Sequence, residues 1–150
     1  RDGGGIFLMG ATGENVRRLT DFGFYPSWSP DGKEIVFCSE NFEEPMNRSI
    51  FGKLWIVNAV TGEKRKIFEQ SDAMQPSWSP SGARIAFWGY KQGGQRDLWT
   101  VSADGTDLKS VTDDAAIDWN PVWSPDGKYL YFISDRGGSM NLWRAAIDEK

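Results

Sequence analysis

The feature that most constrains this chain is that it repeats itself. Pro26-Ser27-Trp28-Ser29-Pro30-Asp31-Gly32 returns as Pro76-Ser77-Trp78-Ser79-Pro80-Ser81-Gly82, and again as Pro121-Val122-Trp123-Ser124-Pro125-Asp126-Gly127. A second marker, Leu-Trp, occurs at Leu54-Trp55, Leu98-Trp99 and Leu142-Trp143, 44 residues apart each time, and Ile6-Phe7 stands in the same place near the start. Six of the eight Trp and six of the seven Pro sit at repeated positions, so the repeat dominates the sequence. Periods of 20–50 residues mark architectures whose units cannot bury their apolar faces alone and must stack.

Each unit carries four candidate strands. In the second copy, strand A is Pro76 to Ser79, followed by a turn at Pro80-Ser81-Gly82. Pro presets φ in such a turn and Gly takes its left-handed position. Strand B, Arg84 to Trp88, alternates Ile85 and Phe87 with smaller neighbours. Strand C runs from Asp97 to Ser102 into an Asp104-Gly105 hairpin signal, and strand D covers Leu108 to Thr112. Four short antiparallel strands at this period predict the blade of a β-propeller. The expected fold is all-β, with about three and a quarter blades: a partial one over 1–20, then 21–69, 70–112, and a partial one over 113–150. Arg1 to Gly5 aligns with the B–C loop Asp135 to Ser139, so the chain reads C-D, A-B-C-D, A-B-C-D, A-B-C. The expectation is part of a longer propeller, or a subunit that closes a ring with copies of itself.

Composition removes several functions. The chain of 150 residues contains no His, which excludes a Ser-His-Asp triad, a Cys-His dyad and His-ligated metal sites within it. The net charge of −4 argues against a nucleic-acid platform, which needs a concentrated positive field. No run of eighteen apolar residues is present to span a membrane, and Arg1 to Gly5 has no apolar signal core. Cys38 is the single cysteine, so no internal disulfide forms, and its place in strand B reads as packed. No spacing singles out a carboxylate pair for hydrolysis.

These repeats resemble the TolB-like, WD-like family of bacterial β-propellers, whose pattern is Trp-Ser-Pro-Asp-Gly, an apolar strand, Leu-Trp, Asp-Gly and Leu-Thr. Arg17-Arg18-Leu19-Thr20 matches the strand D ending, and Ser134-Asp135-Arg136-Gly137-Gly138 matches the B–C loop. Ser81 replaces the turn Asp, which weakens that turn without altering the architecture. The resemblance implies a blade set of a six- to eight-bladed ring that docks partner proteins, in an extracytoplasmic bacterial setting. Other members precede peptidase catalytic domains, and a lyase branch uses histidines this chain lacks.

The repeats stop agreeing in the B–C and D–A connections, and binding residues tend to ride on variable loops over a rigid scaffold. The loop from Glu40 to Gly52 is longer than its counterparts and carries Phe42 and Met46; it reads either as a contact or as a tolerated insertion. The connection 113–120 carries Asp113, Asp114, Asp118 and the off-repeat Trp119, which either shields a blade junction or contacts a partner. Its carboxylates lack the spacing of a calcium loop, so neither metal nor cofactor is expected. Tyr25, Gln75 and Asn120 precede strand A in three units and point to a polar ring at the mouth of a central channel. With Arg136 of the last B–C loop, these residues form the expected binding set. A protein partner is the leading expectation, with a small ligand at the channel mouth, an enzyme's accessory propeller and a homo-oligomeric ring as alternatives.

Overall fold

In a computed structural model that describes residues 4–40, 51–90 and 95–148, thirteen strands form four antiparallel sheets. The first sheet pairs β1 (Phe7–Leu8) with β2 (Arg17–Arg18). The second holds β3 (Phe24–Trp28), β4 (Glu34–Cys38), β5 (Leu54–Asn58) and β6 (Lys64–Phe68) in sequential order. The third holds β7 (Met74–Trp78), β8 (Arg84–Tyr90), β9 (Arg96–Ser102) and β10 (Lys109–Ser110) in the same order. The fourth has β11 (Asp118–Trp123), β12 (Tyr129–Ser134) and β13 (Asn141–Ala146). The strands therefore fall in the expected C-D, A-B-C-D, A-B-C-D, A-B-C sequence, as an arc of propeller blades.

Both faces of each blade are apolar, and alternation along the strand divides them. In β4, Ile35 and Phe37 face one way and join Ile6, Val57, Leu19, Phe22 and Trp55. Val36 and Cys38 face the other way and enter the larger core with Met74, Phe87 and Leu98 of the next blade. Phe68 and Phe87 meet across that junction, their ring centres 5.1 Å apart. Close approach also fixes small residues: a Cβ on Gly89 of β8 would lie 2.0 Å from the Asp72 carbonyl, so a side chain there would push away the segment that leads into β7.

The Trp of the repeat shows what stacking contributes. Trp78 and Trp123 are 8% and 7% exposed, each against the inner strand of the preceding blade. Trp123 Nε1–H donates to the Ser77 carbonyl at 3.0 Å, and the Trp78 backbone N–H donates to Ser27 Oγ at 3.0 Å. Trp28 has the same local sequence, follows only the two-stranded sheet among the described residues, and is 46% exposed.

The turn after each inner strand is built on a side chain. Ser29 donates its hydroxyl hydrogen to Asp31 Oδ1 at 2.7 Å, and that carboxylate also accepts the Lys33 N–H at 3.1 Å. Ser124, Asp126 and Lys128 repeat the arrangement at 2.6 and 3.1 Å. These hydrogen bonds, the serine hydroxyl foremost, hold the Asp31 and Asp126 carboxyls below the usual aspartate range. In the middle blade Ser81 Oγ takes the place of the carboxylate, 3.0 Å from Ser79 Oγ and 3.1 Å from the Ala83 nitrogen.

The inner strand begins earlier than the sequence reading placed it. β7 starts at Met74, not Pro76, because a bulge carries the proline inside the strand. Met74 pairs with Trp88 and Ser77 with Ala86, so Gln75 and Pro76 together oppose one residue of β8. Pro is tolerated there because β7 is an edge strand and the proline sits in the bulge.

Trp78→Ala is expected to cost about 3–5 kcal/mol in denaturant unfolding, whereas Trp28→Ala, with half its ring in solvent, costs about 1 kcal/mol. Ser81→Asp supplies the carboxylate the other turns have, raising Tm by about 1–3 °C at neutral pH. Because the new carboxyl's folded pKa is depressed, that gain is present above the ordinary aspartate pKa and disappears as pH falls through the folded value. A gain that persisted unchanged in acid would contradict the turn mechanism.

Candidate functional site

The bulge places Tyr25, Gln75 and Asn120 at one register position in three successive inner strands. All three have a left-handed backbone, with φ of 54°, 48° and 55°. Asn adopts this conformation readily, but Tyr and Gln do so at a cost of about 1–2 kcal/mol. These residues and the pairs that follow them (Pro26-Ser27, Pro76-Ser77, Pro121-Val122) line one concave wall where β3, β7 and β11 converge. Among the described residues no charged side chain lines that wall. The residues expected at a channel mouth thus do come together, inside the strands and not before them.

Beside this wall lies a cluster the sequence reading passed over. The Arg96 guanidinium sits 5.4 Å from the ring centre of Trp88, 5.3 Å from Tyr90 and 5.1 Å from Trp119. Its Nε and Nη2 donate to Tyr90 Oη at 3.1 and 2.9 Å. Trp119 belongs to the next blade, so Arg96 ties two blades together on their loop side. Trp88 is fully buried, and its Nε1–H donates to Gln75 Oε1 at 2.7 Å, which links the cluster to the wall. The clue was available: Trp88 and Trp119 are the two Trp outside the repeat positions, and both flank Arg96.

Asp118 and Arg136 are placed differently from a surface binding pair. Asp118 is fully buried, and its Oδ2 accepts from Arg136 Nη2 at 2.7 Å. Arg136 also lies 3.4 Å from Asp114 Oδ2, donates through Nε to Ser134 Oγ at 2.9 Å, and stacks over Phe132 and Trp143. Asp114 and Asp135 accept the Ala116 and Ile117 N–H groups, each at 2.8 Å. The acidic connection is therefore organised around an arginine, and Asp118 holds the loop from inside. Among the described residues no group of three or more acidic or Cys side chains is gathered to hold a metal. Phe42 and Met46 lie outside the described residues. At the end of their loop, Phe51 is 61% exposed.

An arc of stacked four-stranded blades with a bulged inner strand defines a β-propeller module, and the family model described as TolB beta propeller domain matches residues 26–150. The chain belongs to that TolB β-propeller family. It is 37% identical over 98 residues to the Tol-Pal system protein TolB of Anaeromyxobacter dehalogenans, covering 65% of this chain and 21% of that protein. It is 30% identical over 132 residues to an uncharacterized protein of Agrobacterium fabrum, covering 86% of this chain and 42% of that protein. Among solved structures, a putative TolB from Agrobacterium tumefaciens superposes with a TM-score of 0.82 at 25% identity, covering 97% of this chain and 53% of that one. TolB from Acinetobacter baumannii gives a TM-score of 0.76 at 26% identity, with coverages of 94% and 34%. An oligogalacturonate lyase bound to manganese shares the fold, with a TM-score of 0.71 at 19% identity over 98% of this chain and 42% of that one. The chain thus spans about a fifth of the TolB protein it matches in sequence.

Arg136→Met leaves the Asp118 carboxylate buried without its cation and is expected to cost about 3 kcal/mol. Adding Asp118→Asn should recover most of that loss in urea unfolding. Equal loss in the single and double variants would mean that the arginine acts by packing alone.

Proposed function

We propose that this chain is a non-catalytic docking module whose B–C and D–A connections receive a protein partner. The observation that carries this reading is the convergence of Trp88, Tyr90 and Trp119 on Arg96 across a blade junction, beside the inner wall. Tyr90, Arg96 and Trp119 are partly exposed over the buried Trp88. Trp, Tyr and Arg are the residue types that concentrate binding energy at protein interfaces, and a rigid scaffold keeps the ordering cost of binding low. Trp119, Tyr25, Gln75 and Asn120 supply the contact positions, with Asp118 and Arg136 shaping the loop beneath them. Phe42 and Met46 of the longer B–C connection, outside the described residues, are proposed as further contacts.

The relatives support this assignment, because the TolB match is named a Tol-Pal system protein. An extracytoplasmic bacterial setting follows from the same likeness. The absence of His from all 150 residues removes His-dependent catalysis from this stretch. If a catalytic domain accompanies it, the propeller is the accessory part.

Site-directed photocrosslinking tests the assignment. Benzoylphenylalanine at position 119, on the loop face, should give a discrete polypeptide adduct in bacterial cells. The same probe at Val60, 78% exposed in the β5–β6 turn on the opposite face, should give none. Adducts from position 60 alone, or none from position 119, would overturn the assignment of the face.

A further inference from the structure

We draw no further inference here: the strongest candidate, the cavity between the connection 113–117 and the last B–C loop, lined by Asp114, Asp135 and Arg136, carries nothing, because its carboxylates bond the loop's own N–H groups and the arginine, and nothing among the described residues points to a ligand there.

Discussion

Every blade here is apolar on both faces, and the rest of the structure depends on that. A four-stranded sheet with Ile35 and Phe37 on one side and Val36 and Cys38 on the other cannot exist alone in water. Stacking is the one arrangement that covers both faces, and the Trp of the repeat fills the gap between twisted sheets. Trp78 and Trp123 show this directly, each buried against the inner strand of the blade before it. Stability is thus a property of blade junctions more than of blades.

Junctions also decide where function can sit. The turns on one face are built from Ser-Pro-Asp-Gly with a carboxylate capping its own backbone, and they leave little freedom for variation. The other face carries connections of unequal length, and its residues are positioned by neighbours from the adjacent blade. Arg96 is the clearest case, because its guanidinium is held by rings from β8 and β11 together. Interblade contacts therefore turn a stacking necessity into a shaped surface.

This explains what was legible in the sequence. Blade order, strand count and turn chemistry depend on local signals such as Asp-Gly and period-two alternation, so they could be read directly. The ring of Tyr25, Gln75 and Asn120 was legible because the repeat aligns those positions. The bulge that carries them into the strand was hidden behind a proline, which ordinarily marks a strand boundary. The roles of Asp118 and Arg96 depend on pairings across 18 and 23 residues, to Arg136 and Trp119, and no local pattern encodes a pairing of that kind. Asp118 in an acidic connection reads as a solvated carboxylate; only the fold shows that it is buried beneath an arginine.

The bulge links the scaffold to its use. An uninterrupted inner strand would alternate its side chains regularly and leave its edge N–H groups open to strand pairing. The extra residue opposite one partner re-aims a side chain toward the concave wall, and the proline after it closes the edge to β-augmentation. Both effects come from the same two positions in each blade, repeated three times with different side chains at the first and proline always at the second. Constancy of proline with variation of its neighbour is what a scaffold needs if it is to keep one backbone while changing what that backbone presents.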